Sequence, residues 1–300
     1  MREYAVKIVD AFATEPLAGN PAAVISEARG LDKATMQRIA RQLNLSETTF
    51  VFPASEPGAD YHIRFFTPGQ ELALAGHPTI ATLHTLLEEG RFADRGDEFT
   101  VHQQTGVGVL PVEVRRNGDH PVLLMTQAEA TLEDAETSPE ELAAALGIEP
   151  SSLLDTPIQR VNVGIPWLIA GIRDLATIST MQFDLGALAR IEVREGMGIT
   201  MFTPAAAAPE CSVRARSFAP ADGIPEDPVC GSGNGCVGIY IAAHKLLDGK
   251  REYVSEQGIE IGRNGRVTVR VLERGGRFTP QVGGQAVTVI EGVLRLPEAA

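Results

Sequence analysis

RFFTPGQELALAGHPTIATLHTLLEEG (residues 64–90) and RSFAPADGIPEDPVCGSGNGCVGIYIAAHKLLDG (residues 216–249) read as two copies of one strand–turn–helix module. Arg64, Phe66 and Pro68 recur as Arg216, Phe218 and Pro220, an offset of 216 − 64 = 152. After a three-residue insertion, Glu71, Gly76 and Ala81 recur as Glu226, Gly231 and Cys236, an offset of 231 − 76 = 155. Further on, Gly106-Val107-Gly108-Val109 returns as Gly258-Ile259-Glu260-Ile261, and Gly19-Asn20-Pro21 has a looser echo in Gly164-Ile165-Pro166. So long a period is not that of a solenoid. It predicts a duplicated domain, two similar halves facing each other across a cleft lined by two glycine-rich turns. Each turn opens a helix, and a helix start favours anions.

The surrounding pattern is that of an α+β chain. Tyr4 to Phe12, Ala22 to Ile25, Thr49 to Phe52 and Tyr61 to Phe66 read as strands, and Leu31 to Leu43 as an amphipathic helix. Pro78 to Glu89 is apolar around most of its circumference, which belongs inside a shell of strands. In the second half the strands are Val122 to Met125, Val161 to Ile172, Ile199 to Phe202, Ser212 to Phe218 and Val267 to Leu272. Pro139 to Leu146 is a surface helix capped by Ser138, and Asn234 to Leu247 the second central helix. Residues 203–210 read as a loop, and Val287 to Leu296 as a last strand returning to the first half. The expected domains are 1–118 with 283–300, and 119–282.

With 26 basic and 39 acidic residues the net charge is −13 and no basic stripe occurs, which argues against nucleic acid and anionic membranes as partners. No run of about 18 apolar residues is present, so no membrane span is expected. Cys211, Cys230 and Cys236 are an odd set, which fits a reducing cytoplasm better than a disulfide scaffold. They have neither CxxC nor paired-histidine spacing, so no metal site is expected. Neither a Walker pattern nor GxGxxG after a strand is present, so no nucleotide cofactor is expected.

In the second module, Gly231, Ser232 and Gly233 let backbone N–H groups and one hydroxyl approach a ligand. The competing reading is a tight packing turn. In the first module, Gly76 precedes His77 at a helix start, where a neutral imidazole is favoured; the alternative is a histidine bonded to its own helix. Asp227 is either a site carboxylate or a helix cap. Cys230, just before a helix start, is expected to have a lowered pKa, yet its counterpart is Ala75, so two-thiol chemistry lacks its partner. Glu47, in Leu45-Ser46-Glu47-Thr48, lies at an edge where carboxylates are usually solvated.

Asp10-Ala11-Phe12, Gly19-Asn20-Pro21-Ala22-Ala23-Val24, Leu45-Ser46-Glu47-Thr48, Ala75-Gly76-His77-Pro78-Thr79 and Glu226-Asp227-Pro228-Val229-Cys230-Gly231-Ser232 resemble the PhzF-like phenazine-biosynthesis isomerases. The resemblance spans almost the whole chain. It implies the diaminopimelate-epimerase-like fold: two pseudo-symmetric domains, each a curled, mostly antiparallel, barrel-like sheet around a central helix, with the site in the interdomain cleft. It implies a cofactor-free, metal-free proton shift like that of trans-2,3-dihydro-3-hydroxyanthranilate isomerase, usually by a homodimer. The family's catalytic glutamate matches Glu47, and its histidine, aspartate and serine match His77, Asp227 and Ser232. Where the family pattern usually has threonine this chain has Cys230; epimerase relatives use cysteine there, but only half of their pair is present. Two alternatives stay open: an amino-acid racemase or epimerase using Cys230, and a non-catalytic binder of small metabolites.

Overall fold

The computed structural model describes residues 1–116 and 120–297. The chain divides into two compact units, Met1–Met125 with Gly283–Ala300, and Thr126–Val282. The boundary expected at 118/119 falls outside the described residues. The strand at Val122, read as part of the second half, belongs to the first unit.

The first unit contains β1 (Arg2–Ala11), β2 (Asn20–Ile25), α1 (Lys33–Leu43), β3 (Glu47–Phe52), β4 (Tyr61–Phe66), β5 (Glu71–Leu72), α2 (Gly76–Glu88), β6 (Glu98–Thr105), β7 (Gly108–Arg115) and β8 (Val122–Thr126). β1 and β2 are antiparallel, β2 and β3 parallel, β3 and β4 antiparallel, and β4 and β6 parallel; β6, β7 and β8 follow as a meander. β5 lies antiparallel to β4, ahead of α2. The last strand of the chain pairs antiparallel with β1 over its whole length, Arg2 opposite Leu296 to Ala11 opposite Ala286.

The second unit runs β9 (Thr131–Asp134), α3 (Pro139–Leu146), β10 (Gln159–Asn162), β11 (Pro166–Gly171), α4 (Leu175–Thr180), α5 (Leu185–Glu195), β12 (Gly198–Thr203), β13 (Val213–Ala219), β14 (Ile224–Asp227), α6 (Gly231–Ala243), β15 (Glu252–Gln257), β16 (Gly265–Arg274) and β17 (Arg277–Gly284); the closing strand of the first unit is then β18 (Ala286–Leu296). The pairing repeats the first unit: β10 and β11 antiparallel, β11 and β12 parallel, β12 and β13 antiparallel, β13 and β15 parallel, β15 and β16 antiparallel. The two units therefore share one topology, as the internal repeat predicts.

Each central helix is buried nearly all round. In α2 every residue from Pro78 to Leu86 is buried, and in α6 every residue from Gly233 to Ile241. Three threonines of α2 are hydrogen-bonded: Thr79 and Thr85 donate to the carbonyls of Ala75 and Ala81, and Thr82 shares a 2.7 Å hydrogen bond with Thr49. α6 lies close to its sheet because Gly238 has no side chain; a Cβ there would sit 2.6 Å from Val269 Cγ1.

Three expectations change. The single strand read over Val161 to Ile172 is a hairpin, β10 and β11: Asn162 Oδ1 accepts the N–H of Gly164 at 2.8 Å, and Gly164 has φ +108°. An asparagine turning on its own backbone is a common way to break a strand. α6 begins at Gly231 rather than Asn234, so the glycines form its first turn rather than a loop before it. α4 and α5 carry aspartate caps, Asp174 accepting from Thr177 N and Asp184 from Gly186 N and Ala187 N. Those caps were signals for helices that the periodicity reading passed over.

Candidate active site

Glu47 is the first residue of β3, three residues beyond Asn44, whose left-handed backbone ends α1. β3 runs parallel to β2, which places Glu47 opposite the fully buried Ala22. That small neighbour leaves the carboxylate room, and it turns toward the start of α2. Its Oε2 lies 3.2 Å from His77 Nε2, and Ser46 Oγ lies 3.3 Å from the same nitrogen. The Glu47 side chain is only 16% exposed, which corrects the expectation of a solvated edge carboxylate. Oε2 is itself buried, and among the described residues nothing meets it as an aligned hydrogen bond. His77 is bonded across to Ser46 rather than to its own helix.

The start of α2 is open. Ala75, its N-cap, has no side chain that can cap, so the N–H groups of Gly76 and His77 face no capping side chain. A Cβ on Gly76 would meet nothing within 4 Å among the described residues. The segment before it is clamped: Glu71 accepts from Arg64 Nε at 2.6 Å and pairs with Lys33 at the same distance. The repeated Arg and Glu of the two modules are thus a structural ion pair.

The second unit repeats the clamp more tightly. Arg216 reaches Glu226 through two hydrogen bonds of 2.8 Å, with both side chains buried. Glu226 adjoins Asp227, whose Oδ1 accepts the N–H of Val229 at 3.2 Å. Asp227 therefore caps its own turn, and Cys230 caps the helix, its Sγ accepting Gly233 N–H at 3.2 Å. Burial pushes the Cys230 thiol pKa upward, and the neighbouring Asp227 carboxylate pushes it the same way. The expected lowering near a helix start is outweighed, because desolvation of a thiolate costs more than the helix end returns.

Gly233 is needed for packing: a Cβ there would lie 2.6 Å from Thr200 Oγ1 and 3.0 Å from Ser217 Oγ. Ser232 Oγ accepts from Trp167 Nε1 at 2.9 Å. Two buried amides hold the turn from beneath. Asn234 Nδ2 donates to Cys230 O at 2.9 Å and to Gln257 Oε1 at 2.7 Å, and Gln257 Nε2 donates to Asp227 O at 3.0 Å. Sequence reading missed Trp167, Asn234 and Gln257, since tertiary contact alone gives them this role.

The shared topology makes the divergence of the two units legible. Ala22 opposite Glu47 in the β2–β3 pair corresponds to Trp167 opposite Gly198 in the β11–β12 pair. His77 corresponds to Ser232, at 77 + 155. Where the first unit sets a carboxylate against an imidazole, the second sets an indole N–H against a hydroxyl. Gly198 is what the indole requires, since a Cβ there would fall 2.4 Å from Trp167 Cζ3. One unit presents a mostly buried carboxylate; the other presents an indole N–H and a hydroxyl. Among the described residues, no three His, Cys, Asp or Glu side chains gather as metal ligands would, and no helix is long and apolar enough to cross a membrane.

The profile of the phenazine biosynthesis-like protein family (PhzC-PhzF) matches residues 9–292. An uncharacterised isomerase of Clostridium acetobutylicum is 35% identical over 99% of both chains. The trans-2,3-dihydro-3-hydroxyanthranilate isomerase of Pseudomonas aeruginosa is 33% identical over 97% of this chain and 99% of its own. Among solved structures, a PhzF-family protein of Bacillus anthracis superposes with a TM-score of 0.89 at 30% identity, covering 99% of this chain and 100% of that one. A chain that the family profile matches over residues 9–292, and that is about a third identical to these isomerases along nearly its full length, belongs to the PhzF family of isomerases.

Proposed function

We propose that this isomerase moves a proton between two carbons of a small amino- and carboxylate-bearing substrate, without cofactor or metal, and that Glu47 is the group that moves it. The observation that supports this most directly is Glu47 Oε2, which is buried beside His77 with no aligned donor among the described residues. A buried carboxylate oxygen that meets no aligned donor is open to receive a proton from a substrate carbon. Glu47 takes a proton from an acidic C–H and returns it to another carbon, so the atoms of the substrate are conserved. In the first unit the uncapped N–H groups of Gly76 and His77 hold an anionic group of the substrate, and His77 orients the reacting centre beside Glu47. The proposal includes a cytoplasmic homodimer, for which light scattering is the check.

The reading in which Cys230 is an acid–base group has less support, because its surroundings hold the proton on sulfur. A purely binding role has less support because the relatives named above are isomerases.

The test uses the substrate of the Pseudomonas aeruginosa relative. Incubation of the protein with trans-2,3-dihydro-3-hydroxyanthranilate in deuterated water, followed by mass analysis, should show an isomerised product. Glu47→Gln should lower turnover about 10²–10⁴-fold, the usual contribution of a general acid–base group. A Glu47→Gln enzyme turning over at close to the native rate would remove Glu47 from the role.

A further inference from the structure

β4 alternates, so His62 and Arg64 stand on one face of the sheet of the first unit. With Lys33, Glu71, Ala73 and Gly106 they line a cavity of about 290 Å³, near the lower end of the range for small-molecule sites. Glu71 divides its carboxylate there: Oε1 accepts from Arg64 Nε, and Oε2 pairs with Lys33. The two terminal nitrogens of Arg64 and both ring nitrogens of His62 have no hydrogen-bond partner among the described residues. The His62 ring lies against Phe52, with centroids 5.9 Å apart.

The second unit shows the same place filled by the chain itself. His62, Arg64 and Gly106 correspond to Arg214, Arg216 and Gly258, at 62 + 152, 64 + 152 and 106 + 152. The glycines are packed alike: a Cβ on Gly106 would lie 2.8 Å from Ala73 Cα, and one on Gly258 2.4 Å from the oxygen of Pro228, at 73 + 155. Every guanidinium nitrogen of Arg216 has an acceptor, two from Glu226 and one from Ile178 O. Arg214 pairs with Glu256 and with Glu260, whose carboxylate is 3.0 Å away. In the first unit the residues at 256 − 152 and 260 − 152 are Gln104 and Gly108. Gln104 and Glu256 each accept two loop N–H groups, so the fold is kept while the charge is lost. The first unit has therefore retained cations without the carboxylate that answers them in the second.

We propose that this cavity is a second ligand site, which takes a small carboxylate onto the terminal nitrogens of Arg64, with Lys33 and His62 beside it. A guanidinium edge presents two N–H groups at the spacing of carboxylate oxygens. The ligand supplies from outside what Glu260 supplies within the second unit. None of the lining residues belongs to the Glu47–His77 pair, and the site does not rest on the catalytic reading of Glu47. Burial, and after it the Arg64 charge, hold the His62 pKa below the ordinary imidazole value, with Glu56 and Glu71 opposing. A carboxylate bound beside the ring raises it.

The experiment is proton NMR of the histidine rings of the native protein during titration with succinate, with inorganic phosphate and with sodium chloride at matched ionic strength. Spectra of His62→Gln and His77→Gln assign those two among the six histidines. Succinate should move the His62 resonances along a saturating curve and raise their pH midpoint; sodium chloride should do neither. Arg64→Lys keeps a cation for Glu71 but loses the fork, and should weaken the succinate response about tenfold. The Lys33 side chain is 67% exposed, so Lys33→Gln disturbs no packed position; it should weaken the response about two- to fivefold. Should Arg64→Lys fail to fold, Lys33→Gln decides. A succinate response no larger than that to chloride, or undiminished in these variants, overturns the site. A phosphate response as strong as that to succinate overturns the assignment to carboxylates. Succinate that moves only His77 is bound at the start of α2, which overturns this site and leaves the reading of Glu47 standing. A His62 response in a protein whose Glu47→Gln variant keeps full turnover supports this site and overturns that reading.

Discussion

Ala22 and Trp167 occupy corresponding places in the two units, and the exchange of a methyl for an indole decides what each site can do. Beside Ala22 a glutamate reaches the histidine; where Trp167 stands, the strand partner must be Gly198 and the serine receives an N–H instead. Cys230 shows the same dependence on surroundings. Its position before a helix points to a reactive thiolate, but burial and Asp227 reverse that sign. Cys211 is likewise raised, to about 11, chiefly by burial. We therefore expect Ellman's reagent at pH 8 to label none of the three free thiols rapidly in the native protein and all of them after denaturation. Fast native labelling of Cys230 would contradict the assignment. The motif residues Glu47, His77, Asp227 and Ser232 were visible in the sequence because their types and neighbours match a family pattern. Trp167 and Gln257 were not, because strand register brings them to Ser232 and Asp227 from 65 and 30 residues away, and Asn234 was not, because its role depends on its contact with Gln257.

At the level of elements, α2 combines a buried shaft with an uncapped start. Its burial has a cost at His84, a 4% exposed residue beside Glu88, whose pKa is lowered chiefly by desolvation. His62 and His244 shift in the same direction, again chiefly from burial. A histidine depressed in the folded state takes up its proton first in the unfolded chain. Stability is therefore complete above the unfolded value of about 6.5 and declines as pH falls below it. Each such group contributes a slope of at most about 1.4 kcal/mol per pH unit. Urea midpoints measured from pH 7.5 down to 5 should fall, and His84→Gln should make the fall shallower; an identical slope in the variant would rule out His84 as a contributor. The central helices were legible because they are apolar all round, and β4 and α3 because their alternation and cap signals agree. The β10–β11 hairpin was misread because Val161 to Ile172 is apolar on both sides of its turn, and a periodicity reading does not see one glycine with positive φ.

For the whole molecule, the return of β18 to β1 is the feature on which the first unit depends. Ten residues of β1 pair along β18, and Leu294 and Leu296 pack against the core around Tyr4, Ile25, Met36 and Phe50. A chain ending at Gly284 would leave β1 with an open edge and that core uncovered. We expect it to lose cooperative thermal unfolding by circular dichroism; a truncated chain melting at the native temperature would show that β18 is dispensable. By itself the sequence determined the duplication, the two buried helices, the glycine-rich turns and the family, because each is written in local spacing or in residue types recurring at a fixed offset. Only the tertiary structure decided that Glu47 is mostly buried, that burial and Asp227 push the Cys230 thiol up, that the repeated Arg–Glu pairs are clamps and that Trp167 donates to Ser232. Those outcomes depend on burial and on the register of strands distant in sequence, and dielectric surroundings and hydrogen-bond partners come into being only when the chain is folded.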